Sequence, residues 1–395
     1  MIPIRVSLYI MRNFCSYFNQ GICRSCDLIT MDYSAQIKEK EETLKNAFKH
    51  FFSPTLLPTI TSKEKNFRNK AKLMVTGTLE EPLIGLFGEE SLDLGRELTH
   101  CPLHLNEINE TLPIIKEFIK LSKLIPYQIS HRKGELKGIV IFYSDTTKES
   151  YLRFIMRSKE SIDRIKKHHT YLLQNIPHLK SLSVNIQPIP HQIPEGEEEI
   201  FITSNKFIHH NINGVHLSVH PRAFVQTNQD VASKLYLTAA QWIKESQLQN
   251  FLELYCGQGA FSFHVAPFIQ RGLGIEINEE AVKTANHNAI LNHTNQLSFK
   301  CADAAKISYE IKEFSPDIIL VNPPRRGLSD SLEILLNQKP QKIIYSSCNI
   351  ETLSKDLEKM MSTYSIERTQ IFDMFPNSKH FETLVELNLK VLVGP

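Results

Sequence analysis

The chain has 395 residues, 42% of them hydrophobic and 22% charged, with a formal net charge of only +2. Such a length sets an expectation of two or three units, and the near-neutral balance excludes a global field for polyanions, so any nucleic-acid surface must come from local clustering. No apolar run approaches the ~18 residues that span a bilayer, and MIPIRVSLYIMRN has neither the apolar length nor the cleavage site of a signal peptide, so no membrane is involved and the cytoplasm is expected.

Residues 11–32 read as an irregular segment carrying Cys15, Cys23 and Cys26 as C-x7-C-x2-C, with Cys101 far downstream in THCPLH. In a reducing compartment disulfides are disfavoured, and four converging thiolates fit a structural zinc or a [4Fe–4S] cluster. Spacing leaves those two open. The plainer alternative, unrelated buried cysteines, suits a C-x2-C in a loop poorly. A helix follows, because Leu44, Ala47, Phe48, Phe51 and Phe52 recur at helical spacing in a Lys/Glu-rich background.

From about 54 to 220 the reading is mixed α/β. KGIVIFYS and YLRFIMRS read as paired strands, SLSVNIQPI and EEIFITS as two more, with Pro188, Pro190 and Pro194 in a turn region. KEKNFRNKAK (63–72) has five Lys/Arg against one Glu, and residues 131–167 have ten Lys/Arg against five Asp/Glu. A charge run is usually a solvated face, but clusters like these can also bind phosphates. Arg68, Lys70 and Arg132 are the candidate contacts. The pairs His168–His169 and His209–His210 read as surface.

Residues 229–246 make a helix that leads into a different pattern. NFLELYCGQG, RGLGIEIN, LSFKCADA, PDIILVNPP and KIIYSSCN are short apolar runs ending in polar or glycine residues, with helical stretches such as EEAVKTANHNAILN between several of them. This alternation predicts a doubly wound parallel sheet with its ligand sites at the carboxyl ends of strands. LYCGQGAFS places Gly257 and Gly259 in the first strand-to-helix turn, and Glu276 ends the next strand nineteen residues after Gly257. Glycines let a ligand approach backbone N–H groups, and a carboxylate at that distance can accept ribose hydroxyls. A dinucleotide site would want a third glycine where Ser262 stands, which favours a ligand without a pyrophosphate, such as S-adenosylmethionine. LVNPPRRG ends the fourth strand, its two prolines holding Asn322 toward the crevice. Asn-Pro-Pro also suits amino-group methylation, but there an aromatic residue usually follows, and here Arg325 stands near. Cys256 and Cys301 lie inside the expected strands and read as core.

NPPRRG, YSSCN, FVQTN, FRNKAK and the cysteine spacing together resemble the RNA 5-methyluridine methyltransferases that use S-adenosylmethionine, over about residues 11–392. The likeness is strongest to the iron–sulfur branch acting on uridine 747 of bacterial 23S ribosomal RNA. The resemblance implies a C-terminal Rossmann-like methyltransferase domain (221–395), a mixed α/β central RNA-binding domain (54–220) and an N-terminal iron–sulfur segment (1–53) joined by Cys101. It implies a [4Fe–4S] cluster on Cys15, Cys23, Cys26 and Cys101. It puts Gln226, Tyr255, Glu276 and Asn322 on the cofactor, with Asp303 as a further adenine contact beside Gly257 and Gly259. Many relatives have aspartate at the position of Asn322.

The same resemblance gives Cys348 and Glu382 their roles. Uracil C5 is too poor a nucleophile to take a methyl group unaided; a thiolate adding at C6 makes C5 reactive, and a base must then remove the C5 proton. Cys348 matches the nucleophile and Glu382 the base. On residue evidence alone, Cys348 reads as a small buried hydrophobe and Glu382 as a solvated strand end, since Thr383, Val385, Leu387, Leu389 and Val391 alternate on the other face. The implied partner is 23S ribosomal RNA, with the target uracil unstacked, no protein partner required and a monomeric chain. The ten residues before Met11 match nothing in the branch, and Met11 is the expected start. The alternatives are methylation of the tRNA T-loop uridine, which the four cysteines disfavour, and a noncatalytic iron–sulfur RNA chaperone, for which Cys348 would be dispensable.

Overall fold

The computed structural model describes residues 14–51, 55–87, 93–190 and 195–390. Met11, Phe52, Pro194 and Val391 lie outside these stretches.

A short helix α1 (Ser16–Asn19) is followed by α2 (Tyr33–Phe48) and strand β1 (Thr55–Ile60). Helix α2 starts well before the apolar run that predicts it. Its buried stripe is Gln36, Lys40, Leu44 and Phe48, one residue per turn, and the first half of that stripe is polar. Hydrophobic periodicity therefore sees only its second half.

A central sheet contains β2 (Lys70–Gly77), β3 (Pro82–Phe87), β4 (Gly95–Glu97), then β5 (Leu136–Ser144) and β6 (Glu149–Met156), with helix α3 (Asn106–Leu121) between β4 and β5. Helix α4 (Ile162–Asn175), β7 (Leu179–Ile186) and β8 (Glu198–Phe201) complete it, in the order β4-β3-β2-β5-β6-β7-β8. The expected pairs are present: β5 with β6 and β7 with β8, both antiparallel. Helices α3 and α4 seal one face of this sheet with Ile108, Leu112, Ile115, Ile165 and Leu172. A hairpin, β9 (Ile208–Ile212) and β10 (Val215–Val219), packs beside it.

The C-terminal part alternates helix and strand. It runs α5 (Gln229–Ser246), β11 (Asn250–Leu254), α6 (Ala260–Val265), β12 (Arg271–Glu276), α7 (Glu279–Leu291) and β13 (Leu297–Cys301). Then come α8 (Ser308–Phe314), β14 (Ile318–Val321), α9 (Ser331–Gln338), β15 (Lys342–Ser347) and α10 (Ile350–Met360). Strands β16 (Tyr364–Phe372) and β17 (Glu382–Leu389) finish it. Asparagines start three of these helices: Asn228, Asn278 and Asn349 each accept a first-turn N–H, satisfying a donor that the helix cannot.

The large sheet has the order β1-β16-β17-β15-β14-β11-β12-β13. Strands β11 to β15 are parallel to one another, and β17 enters antiparallel between β15 and β16. Ile318, Ile319, Leu320 and Val321 of β14 are all fully buried, as expected of a parallel strand covered on both faces. The order reverses between β11 and β14, which opens a crevice at their carboxyl ends. Strand β1, grouped by sequence with the central unit, pairs in parallel with β16 instead and so belongs to this sheet.

The chain's beginning is clamped to its end. Lys40 Nζ meets Asp373 Oδ1 at 2.5 Å with both side chains buried, and Tyr33 donates to Asp373 Oδ2 at 2.7 Å. Asn377 receives Leu28 N–H on its carbonyl and donates its own N–H to Gln36 Oε1, while Lys379 N–H bonds Asp27. Breaking one side of such a buried pair costs about 3–5 kcal/mol, because an uncompensated charge remains. The segment so held, 373–381, runs directly into Glu382.

Candidate active site

One cavity of about 1060 Å³ lies at the carboxyl ends of β11, β12 and β14 and extends to β9 and the start of α5. All the cofactor and catalytic candidates line it except Gly259, which begins α6 next to it. It is large enough for two ligands, since one small-molecule site usually occupies 300–1,000 Å³.

The nucleotide end is built from backbone. Gly257 (φ 54°) and Gly259 (φ 87°) both take the left-handed conformation, and a Cβ on Gly257 would meet no atom within 4 Å. Its backbone is thus open to a ligand. Gly257 N–H donates to Glu276 Oε2 (3.1 Å) and Asn278 N–H to Oε1 (2.9 Å), so the carboxylate is held at the strand end with lone pairs to spare. Tyr255 is anchored through its hydroxyl to Ser331 (2.8 Å). Asp303 and Asn322 are half-buried in the wall, and Gln226 is buried. Thr227 Oγ1 and Gln258 Oε1 line the cavity without a hydrogen-bond partner in the protein. Such atoms are usually satisfied by a polar ligand or water, so this end fits a polar nucleoside.

The departure at Ser262 has a structural reason. Its N–H (2.9 Å) and its hydroxyl both donate to Glu253, which is 1% exposed and lines the cavity. Burial pushes the Glu253 carboxyl up to about 8 against those two bonds. Sequence reasoning missed Glu253 because nothing in an apolar strand marks an inward acid.

Cys348 sits between β15 and α10, half-buried and facing the cavity. Asn349 caps α10 and also donates to Arg325 O (2.9 Å), as Thr352 does (3.2 Å), which ties the NPPRRG turn beside the thiol. The Arg325 side chain lies within electrostatic reach of the Cys348 thiol. Burial and then the Glu382 carboxylate push the thiol up, while Arg325 pulls it back toward the thiolate. Replacing Arg325 by glutamine is expected to slow alkylation of Cys348 at pH 8 several-fold and to move its alkylation profile to higher pH; an unmoved profile would show that Arg325 does not set this thiol.

Glu382 is 2% exposed, so the solvated strand end considered from sequence is overturned: β17 is covered on both faces. Burial pushes its carboxyl up to about 7, opposed by a hydrogen bond from Ser346. Glu382 is close enough to Cys348 for its carboxylate to disfavour the thiolate, which neither motif alone reveals.

Of the four candidate ligand cysteines, Cys15 is buried and Cys23, Cys26 and Cys101 are half-buried. Among the described residues no group of three or more His, Cys, Asp or Glu stands in metal-holding geometry. They are nonetheless within electrostatic reach. Burial, then Cys101, Cys23 and Cys15, push the Cys26 thiol up to about 12, a crowding of negative charge that a bound cation would relieve. His104 N–H donates to the Cys101 carbonyl (3.1 Å), and the half-buried Arg68 guanidinium lies within electrostatic reach of Cys101 and Cys26. This donor set fits a thiolate-ligated centre. Cys256 is buried but lies just past β11, and Cys301, expected in the core, is exposed at the end of β13.

Arg68 lines the cavity and donates to Lys70 O. Lys70 is half-buried, its Nζ toward Ala223 O (3.4 Å), and Arg132 is exposed and apart from the cavity. Much of the 131–167 charge is paired internally: Arg153 with Glu195 and Glu199, Arg157 with Glu135, Lys159 with Glu198 and Arg164 with Glu160. His210, expected at the surface, is buried, bonded to Ser144 (2.9 Å), and lines the cavity; burial pulls it down to about 4. Phe224 in FVQTN is 65% exposed at the cavity edge, an aromatic face that the motif contained but residue chemistry did not flag.

Residues 32–390 match the family described as tRNA (Uracil-5-)-methyltransferase. The 23S rRNA (uracil(747)-C(5))-methyltransferase RlmC of Haemophilus influenzae is 38% identical over 387 residues, covering 95% of this chain and 98% of the relative. The enzyme of the same name from Proteus mirabilis is 38% identical over 377 residues, covering 95% and 99%. The solved tRNA (uracil-54, C5)-methyltransferase of Pyrococcus abyssi, in complex with S-adenosyl-L-homocysteine, has a TM-score of 0.76 at 25% identity and covers 92% of this chain and 85% of that one.

Proposed function

The chain belongs to the tRNA (uracil-5-)-methyltransferase family, and we propose that it methylates C5 of uridine 747 in 23S ribosomal RNA, with S-adenosylmethionine as methyl donor. The observation that carries this is the single cavity in which the Cys348 thiol and the Glu382 carboxyl face the glycine turn and Glu276.

S-adenosylmethionine, when bound, supplies a methyl group on a positive sulfonium. Gly257, Glu276, Tyr255, Gln226, Asp303 and Asn322 are the residues we assign to holding it. Cys348, made more nucleophilic by Arg325, adds to uracil C6 so that C5 gains carbanion character. Glu382 then removes the C5 proton, and Cys348 is released as thiolate. The uracil must leave its stack to reach that depth, and Phe224 offers a face for a displaced base. Arg68 and Arg132 are assigned to phosphates, and Lys70 to holding the Ala223–Phe224 turn.

Cys15, Cys23, Cys26 and Cys101 are assigned to a [4Fe–4S] cluster whose iron–sulfur bonds would tie the N-terminal segment to the loop of Cys101. The crowding of Cys15, Cys23 and Cys101 around Cys26 supports it. Anaerobic preparation is expected to yield about four iron and four sulfide per chain; stoichiometric zinc without sulfide would overturn the assignment. None of the described helices is long and apolar enough to cross a membrane.

The test is methylation of 23S ribosomal RNA and tRNA transcripts by the purified protein, with 5-methyluridine mapped by mass spectrometry. Product at 747 is expected. Product only in the T-loop would transfer the activity to tRNA, and none in any RNA would remove it.

A further inference from the structure

Ser346 stands two residues before Cys348 on β15, and Glu382 opens the antiparallel neighbour β17, where Ser346 pairs with Leu384 and Ser347 with Thr383. Ser346 is fully buried. Its hydroxyl donates to Glu382 Oε1 at 2.6 Å, and among the described residues no other group donates a hydrogen bond to that carboxyl. One oxygen is therefore fixed while the other has no partner among the described residues, at the wall of the cavity that Cys348 also lines.

The geometry points to Ser346 as the positioning residue for the proton-removal step: it holds one oxygen of Glu382 so that the other meets the C5 proton of the uracil bonded to Cys348. This rests on the uracil-C5 methylation reading above. The step it serves begins with Cys348 Sγ bonded to C6, and C5 carrying both its original hydrogen and the new methyl group. Glu382 accepts the C5 proton. The C5–H electron pair becomes the C5–C6 double bond, and the C6–S pair returns to Cys348 as thiolate. Neither oxidant nor reductant is needed.

Two physical effects make the hydroxyl matter. In an apolar wall a carboxyl prefers to be neutral, and a donated hydrogen bond favours the ionised form that can accept a proton. Without it the carboxyl also regains rotamer freedom, and a base that wanders from its target loses rate steeply. Addition and methyl transfer precede this step and do not use Glu382 as acceptor, so they are left nearly intact.

The experiment uses the full chain with its native metal content, RNA tritiated at uracil C5 and a carbon-14 methyl donor. Methyl incorporation and tritium release are counted on the same quenched samples in a single turnover. In the wild type they run together. In Ser346→Ala, methyl incorporation is expected to stay within about threefold while tritium release slows by about ten- to a hundredfold. Protein-linked methylated RNA then accumulates on a denaturing gel, and the acidic limb of turnover moves to higher pH. Ser346→Cys, of similar size but a weaker donor, should fall between; if the alanine variant does not fold, the cysteine variant decides the same comparison. Both isotopes slowing equally, or neither slowing, overturns the role of Ser346. A wild type that transfers no methyl group to any uracil-containing RNA instead overturns the methylation reading itself.

Discussion

Replacing Cys348 by alanine is expected to abolish methyl transfer, with a loss on the order of 10⁶-fold, the scale seen when a covalent nucleophile is removed from an enzyme. Uracil C5 is activated only while C6 carries a nucleophile, and no other described thiol lines the cavity near Glu382: Cys256 is buried at the nucleotide end, where burial and then Glu253 and Glu276 push it far toward the neutral thiol. The substitution should leave the fold alone. Cys348 is half-buried, and the turn around it is held by Asn349, Thr352 and the backbone of Arg325. Melting should therefore stay within about 2–4 °C, the scale of 1 kcal/mol in a domain of this size. RNA containing 5-fluorouridine separates chemistry from binding, because fluorine cannot leave C5 as a proton does. The wild type should form a stable protein–RNA adduct with it in the presence of the methyl donor, and Cys348→Ala none. An alanine variant that methylates at an appreciable rate would sink the covalent mechanism.

Glu382→Gln is expected to lower turnover by about 10²–10⁴-fold, the usual contribution of a positioned proton acceptor. Glutamine keeps the size and can still accept from Ser346 through its carbonyl, so the change removes basicity and little else. Its signature differs from that of Cys348→Ala: addition and methyl transfer proceed, and the methylated covalent adduct builds up on ordinary uridine. The pH dependence follows from the carboxyl lying near 7 under burial. The ionised form is the active one, so wild-type turnover should rise as pH increases through about 7, and Glu382→Gln should lose that limb. Full activity in the glutamine variant, or a wild-type rate that falls over the same range, would assign the proton removal to another group.

Much of this site was legible from residues. The alternation of short apolar runs and helices, the glycine turn with Glu276 nineteen residues on, and the strand ends bearing Asn322 and Cys348 all describe local geometry, which sequence encodes directly. What stayed hidden depends on which strand lies beside which. Ser346 meets Glu382 because β17 runs antiparallel into a parallel sheet, and β1 joins β16 across most of the chain. Buried polar groups were misread for a related reason. His210 and Glu253 face a cavity formed by distant segments, and Gln36 and Lys40 extend the stripe of α2 with side chains that a hydrophobic pattern counts as exposed.

The clamp between α2 and residues 373–377 has a further meaning during synthesis. Its partners are separated by more than 330 positions, as in Tyr33–Asp373 and Lys40–Asp373. At 5–20 residues per second, the amphipathic early helix waits roughly 17–70 s on the ribosome for its acidic counterpart to emerge. High contact order makes this closure late and slow. Until then Lys40 and Tyr33 lack their acid, and a chain that ends before residue 373 leaves the first long helix without the partner that locks it in place.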